Sequence, residues 1–161
     1  MDHNSFTHLD AEGRAKMVDV GGKPVTGRVA IAKSRLRMSQ QVADAIRNSE
    51  IAKGDVLNVA RIAGIQAAKQ TSSLIPLCHL LPLDQVELNA QWIDDREVEW
   101  TAEVRVCAKT GVEMEAMVAA SIAALTVYDM CKALDRSMEV SLVGLWSKDG
   151  GAGGRYERFQ G

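Results

Sequence analysis

The sequence predicts an α+β fold in which an antiparallel sheet carries its helices on one face. Three observations predict it. Val86, Leu88, Ala90 and Trp92 alternate with Gln85, Glu87, Asn89 and Gln91; after a turn at Asp94-Asp95-Arg96, Val98, Trp100, Ala102, Val104 and Val106 alternate with Glu97, Glu99, Thr101, Glu103 and Arg105. A period of two with a polar partner row is a β-hairpin with one buried and one solvated face. The stretch Val112–Leu134 is apolar nearly all round, so it reads as a long helix buried on more than one side. The order strand, helices, strand, strand, helix, strand is the split βαβ pattern of the ferredoxin-like fold.

Each remaining element has its own signal. Residues 1–27 are polar and contain Gly13, Gly21, Gly22 and Gly27, which suggests a mobile arm. Arg28–Arg37 reads as a strand, with Val29 and Ile31 on one parity and Leu36 on the other. Ser39 is placed to cap a short helix through Asn48. Gly54 then breaks the chain, and Asp55 can cap a second helix to about Ser72, ended by Pro76. Met138–Lys148 reads as the last strand, and the GGAGG run from Gly150 to Gly154 opens a flexible tail over residues 150–161. No internal repeat or Pro- or Ser-rich linker divides the chain, so residues 1–161 are expected to form one domain.

Composition narrows the function. Nineteen Lys plus Arg against 21 Asp plus Glu give a net charge of −2, which argues against wholesale binding to nucleic acid. The longest apolar stretch without a charge, Ala116–Tyr128, is 13 residues, short of the 18 or so that a membrane span needs. The first residues hold no apolar run of a secretion signal. Cys78, Cys107 and Cys131 lie far apart with no C-x-x-C, so neither a zinc ribbon nor a disulfide framework is expected and a reducing, cytoplasmic setting is. His3 and His8 fall in the arm, and one body histidine, His79, cannot build a His-rich metal centre. Common nucleotide-binding and hydrolase motifs are absent.

Four clusters could carry chemistry. Lys53-Gly54-Asp55 sets an amine at the mouth of a helix N-terminus, a place that favours anions; an ordinary capping loop is the plainer alternative. Lys69 lies near the other end of that helix, where the dipole alone would favour a lysine. Leu77-Cys78-His79 stands between Pro76 and Pro82, which suits rigid presentation of side chains. Cys78 and His79 are adjacent, and neighbours in extended chain point to opposite sides, which disfavours a nucleophile–base pair. On the long helix Glu113, Glu115, Asp129 and Lys132 are the only charges between Val112 and Lys132. Asp129 and Lys132 share a face at i, i+3 within apolar sequence, where a partly buried pair could be tuned for proton transfer; a surface ion pair is the alternative.

These runs also carry a resemblance. Met17-Val18-Asp19-Val20, Lys53-Gly54-Asp55-Val56, Ala60 through Lys69 (ARIAGIQAAK), Ile75-Pro76-Leu77-Cys78-His79, Thr110 through Ala116 (TGVEMEA) and Ala123 through Ala133 (AALTVYDMCKA) resemble the cyclic pyranopterin monophosphate synthases, the molybdenum-cofactor enzymes that act after the radical-SAM step on GTP. The likeness covers nearly the whole chain, and that family's ferredoxin-like fold agrees with the order of elements.

The resemblance implies that (8S)-3′,8-cyclo-7,8-dihydroguanosine 5′-triphosphate is converted to cyclic pyranopterin monophosphate with release of diphosphate. It implies catalytic roles for Asp129, Lys132 and Lys53, and substrate contacts from Leu77, Cys78, His79, Met114, Glu115, Glu113, Lys69, Arg28 and Lys23. It implies no cofactor, no metal ligands and a hexamer built as a trimer of dimers. One departure stands out: the family often ends in a Lys-x-Gly-Gly-Lys loop, whereas Lys148-Asp149-Gly150-Gly151 is followed here by Ala152. The residue inventory suits a triphosphate, since Lys23, Arg28, Lys33, Arg35 and Arg37 lie between Asp19 and Asp44 with no acid among them. Helix geometry adds an expectation: Glu113 and Asp129, 16 residues apart, are separated by about 24 Å on a continuous helix, so the simplest way for one substrate to meet both is to take them from different subunits. A kink or break in the helix, bringing both into one chain's pocket, is the alternative. An RNA-binding platform is the competing class for such a sheet, but Glu87, Glu97, Glu99 and Glu103 on the hairpin's polar face would repel phosphate. A non-catalytic sensor of small molecules is the other, and product formation separates it from an enzyme.

Overall fold

The computed structural model describes residues 12–158; His3 and His8 lie outside them. The chain folds as α+β with a five-stranded antiparallel sheet: β1 (Thr26–Arg37), α1 (Gln40–Arg47), α2 (Val56–Lys69), α3 (Thr71–Leu74), β2 (Gln85–Trp92), β3 (Glu97–Ala108), α4 (Glu113–Cys131), β4 (Glu139–Asp149) and β5 (Tyr156–Glu157). The spatial order β2-β3-β1-β4-β5 places β1 at the centre, with the long helices crossing over between non-adjacent strands. The first four strands thus follow the ferredoxin-like arrangement, with the helices on one face.

Local chemistry sets the boundaries. Ser39 Oγ accepts from Val42 N at 3.4 Å and Asp55 Oδ1 from Asn58 N at 3.0 Å, capping α1 and α2 as their types dictate. Gly54 takes φ +96°, a left-handed turn that costs any other residue. The helix expected to run to Ser72 breaks instead at Gln70, the C-cap of α2, and the short α3 follows. The tail does more than its glycines suggest. The chain turns back after Gly150, and β5 pairs with β4 through Ser147↔Glu157 and Lys148↔Tyr156.

Small residues pull the layers together. The covered face of β1 is Ala30, Ala32, Ser34 and Leu36, all buried, while Val29 and Ile31 lie on the other parity. Against it lies α4, with Ala116, Ala119, Ala120 and Ala123 fully buried. The approach is close enough for Ser34 Oγ to donate to the Ala120 carbonyl at 2.7 Å. Gly64 of α2 meets the same helix, where an added Cβ would stand 2.5 Å from Leu88 Cδ2 and 2.8 Å from Ala119 O. By length and composition α4 could cross a bilayer, but more than half of it is buried inside the fold, as in a core helix.

The sheet's open face corrects one expectation. Glu97 and Glu99, on the row taken as solvated, are only 6% and 5% exposed. Lys33 Nζ donates to Glu99 Oε1 at 2.6 Å and Arg35 Nε to Oε2 at 2.8 Å; Ser141 Oγ donates to Glu97 at 2.6 Å, and Arg37 lies 3.4 Å from it. Burial pushes the Glu99 carboxyl up, but the hydrogen bonds and charges of Lys33 and Arg35 outweigh it, leaving Glu99 below its usual range. Basic β1 lies beside acidic β3, so these cations serve the sheet instead of a ligand.

Candidate functional site

α4 runs without a break from Glu113 to Cys131, and the sequence-predicted site residues gather at its two ends. At the N-terminal end, Lys23, Leu77, Cys78, His79, Glu113, Met114 and Glu115 line one cleft of about 310 Å³, together with Val18, Val20, Leu81, Thr110 and Gly111. Three segments far apart in sequence meet there: the arm, the loop between α3 and β2, and the turn that starts α4. His79 Nε2–H donates to the Val18 carbonyl at 2.9 Å, which fixes the ring and ties the arm over the cleft. Lys109 Nζ donates to the Gly21 carbonyl at 2.7 Å and ties the arm at a second point. Part of the segment expected to be a mobile arm is therefore a wall of this cleft.

Within the cleft Glu115 is 4% exposed. Burial raises its carboxyl to about 7, with a further push from the charge of Glu113 and a backbone hydrogen bond pulling the other way. Near neutral pH it can therefore either give or accept a proton, or donate a hydrogen bond as a neutral acid. Burial also pushes the Cys78 thiol up, and the Glu115 charge adds to it; a thiol held protonated is a poor nucleophile. Glu113 Oε1 lies 3.8 Å from Lys148 Nζ. Arg28, at the start of β1, donates from Nη2 to the Lys109 carbonyl at 3.4 Å, which places it beside this end. Lys69 ends α2, exposed. Its helix runs antiparallel to α4, since Leu74 and Ile75, just beyond it, border a groove with Met114 and Met117.

The C-terminal end holds Asp129, Lys132 and Lys53. Lys132 Nζ donates to Asp129 Oδ1 at 2.7 Å. Lys53 Nζ donates to the Asp129 carbonyl at 3.0 Å and stands 3.7 Å from Oδ2. The hydrogen bond from Lys132, and then the charges of Lys132 and Lys53, hold the Asp129 carboxyl below its usual range. The expected partial burial is not there: Asp129 is 62% exposed and each lysine 52% at the side chain. Lys53 is brought in by the turn before α2, 76 positions away in sequence, which spacing alone could not reveal.

The structure thus unites the substrate-contact candidates at one end and the proton-transfer candidates at the other, and does not bring the two groups together within one chain. Lys109, Lys148 and Val18 are the participants that sequence reading passed over or left without a role; only a backbone carbonyl reveals Val18, and no side-chain signal could have found it. Among the described residues no cluster of three His, Cys, Asp or Glu side chains could hold a metal ion.

Between the two ends, one side of α4 is uncovered. Leu74, Ile75, Met114, Met117, Val118, Ser121 and Ile122 line an apolar groove of about 320 Å³. Ile62 of α2 and Leu125 of α4 are 59% and 51% exposed.

The chain is similar to known proteins over nearly its whole length. The profile described as the MoaC family matches residues 17–151, a span that includes both ends of α4. A cyclic pyranopterin monophosphate synthase of Desulfitobacterium hafniense is 51% identical over 153 residues, covering 95% of this chain and 94% of its own. One from Novosphingobium aromaticivorans is 52% identical over 154 residues, covering 96% and 98%. One from Chloroflexus aurantiacus is 51% identical over 159 residues, covering 97% and 96%.

Proposed function

The chain belongs to the MoaC family, and on that premise we propose that it is a lyase of molybdenum-cofactor biosynthesis that converts (8S)-3′,8-cyclo-7,8-dihydroguanosine 5′-triphosphate into cyclic pyranopterin monophosphate and diphosphate. A new oxygen–phosphorus bond closes the cyclic phosphate at the α-phosphorus as the bond to diphosphate breaks. The accompanying ring rearrangement conserves oxidation state and needs protons moved, which the chain's own acids and bases can do.

The observation that carries this reading is the division of the site between the ends of α4. The cleft with Leu77, Cys78, His79, Met114 and Glu115 suits the guanine-derived rings, whose N–H and amino donors match carboxylates such as Glu113 and Glu115. Lys23, Arg28 and Lys69 suit the triphosphate. Asp129 with Lys132 and Lys53 supplies a carboxylate and two amines, the set that moves protons. About 24 Å of helix separates Glu113 from Asp129, so the working site joins the Glu115 cleft of one subunit to the Asp129 group of another.

A two-fold axis does this with one surface. The midpoint between positions 113 and 129 is Ser121, and antiparallel pairing of two α4 helices about it sets Asp129 opposite the partner's Glu113. Ser121 lies in the uncovered apolar groove with Met117, Val118 and Ile122, the surface such pairing would bury. Two sites per dimer result, and each would cover an Asp129 group that stands exposed in the single chain. The full assembly of this reading is a hexamer, a trimer of such dimers, in the cytoplasm.

Supplying the cyclic triphosphate to the purified protein tests the activity. Stoichiometric release of diphosphate and pterin is expected. Binding without either product would leave a sensor of the same ligand and overturn the reading.

A further inference from the structure

Three side-chain polar atoms among the described residues are buried without a hydrogen-bond partner: Thr26 Oγ1, Arg28 Nε and Trp100 Nε1. Trp100 stands alone in the middle of the core. The other two lie two residues apart on β1. Their register partners, Ala108 and Val106, are buried, so both side chains stand on the helix-covered face, at the end of the sheet where α4 begins. Successive residues on one face of a strand are separated by about 6.6–6.8 Å, a spacing that one tetrahedral anion with several oxygens can span.

The surroundings are cationic and closed. Arg28 reaches the Lys109 carbonyl, and Lys148, whose register partner Ala30 lies on the same covered face, points its amine toward Glu113. The tail turn packs onto the guanidinium: a Cβ at Gly151 would fall on Arg28 Nη1, and one at Gly150 on the Gly27 carbonyl. Gly150 and Gly151 also take φ +98° and +76°. Arg28 and Gly150 also border a cleft of about 550 Å³, which opens on the other face of the sheet along Gly27, Val29, Gln85 and Arg105.

A buried donor left without an acceptor is costly, and proteins seldom keep one without a use for it. Two on one strand, in cationic surroundings and under a turn that only glycine fits, call for an acceptor with more than one oxygen. We infer that Thr26 Oγ and Arg28 Nε form a phosphate subsite, Thr26 being a substrate-binding residue in addition to those assigned above. The inference rests on the proposed reaction, whose substrate and released product both carry phosphates. Both donors lie at the end of the sheet where α4 begins, so the phosphate they take would hold the substrate at the ring-binding end.

Titration of inorganic diphosphate into the full-length protein tests it, with Thr26→Val and Thr26→Ser as variants and melting of each unliganded protein as the second readout. Losing one charge-assisted hydrogen bond should weaken diphosphate binding about 10- to 100-fold in Thr26→Val, and Thr26→Ser should bind like wild type. Unliganded Thr26→Val should melt no lower than wild type, because the hydroxyl it removes has no partner. A hydroxyl serving structure would do the reverse, lowering the melting temperature and sparing binding. Equal diphosphate binding by wild type and Thr26→Val, or no binding by wild type at millimolar concentration, overturns the subsite. If wild type turns over the cyclic triphosphate and Thr26→Val binds diphosphate equally, the subsite alone falls. If wild type makes no pterin yet binds diphosphate through Thr26, the subsite stands and the proposed reaction falls.

Discussion

Glu115 and Asp129 are both acids on one helix, and their surroundings drive them in opposite directions. Glu115 is buried and raised to about 7; Asp129 is exposed and lowered by two amines. Because the folded-state value of Glu115 lies above its unfolded one, the unfolded chain loses that proton first, and stability falls as pH rises from about 4.5 to about 7. The loss is about 3 kcal/mol by linkage. Glu115→Gln removes it, so denaturant unfolding should show the variant gaining on wild type at pH 8 and hardly at all at pH 4.5. An equal gain at both would mean that Glu115 is not a buried neutral acid. Asp129→Asn is nearly isosteric at an exposed position, so it should keep the fold and lower turnover by roughly 10²–10⁴-fold, the range for acid–base groups. More than about a tenth of the wild-type rate would reduce the pair to a surface ion bridge. Residue type made these candidates legible, and the runs around them carried the family likeness. Environment was not legible: the Glu97 and Glu99 row looks like any solvated strand face until β1 lays Lys33 and Arg35 against it, and Thr26 looks like any strand threonine until its hydroxyl is found buried.

At the level of elements, the close layering of α2, α4 and β1 depends on residues chosen for having little side chain. Gly64 is the sharpest case, because the atom facing its missing Cβ is the Ala119 carbonyl, which is backbone and cannot swing aside. Gly64→Ala should therefore push α2 off α4 and cost about 1–3 kcal/mol, the range for overpacking, against the usual gain when glycine is replaced in a helix. A denaturation midpoint at or above that of wild type would show the contact to be loose. Periodicity revealed most of the elements: strict alternation marked β2 and β3, and caps at Ser39 and Asp55 marked the starts of α1 and α2. The break at Gln70 stayed hidden because the sequence on either side of it is compatible with helix. The strand β5 was invisible for another reason. Two residues hold no period, and only the edge of β4 makes Tyr156 and Glu157 a strand.

The whole molecule takes its logic from one continuous helix. A polar surface along the middle of α4 would leave two unrelated half-sites, whereas the apolar groove at Met117, Ser121 and Ile122 gives two copies a reason to meet and their ends a reason to align. Ser121→Arg, at the axis of the antiparallel pairing, sets two like charges face to face, and light scattering should show smaller assemblies with activity falling in step. Unchanged mass would move the interface elsewhere. The most direct measurement mixes Asp129→Asn with Glu115→Gln, each expected to be nearly inactive alone because it removes a proton-carrying group from one half of the site, after subunit exchange has been demonstrated with labelled chains. In a mixed dimer one of the two sites takes both substitutions and the other takes neither, so activity should reappear, approaching about a quarter of the wild-type rate at equal mixing if exchange is random. If the mixture stays inactive although exchange is complete, each site draws both groups from a single chain and the account of a site shared across the α4 interface is wrong.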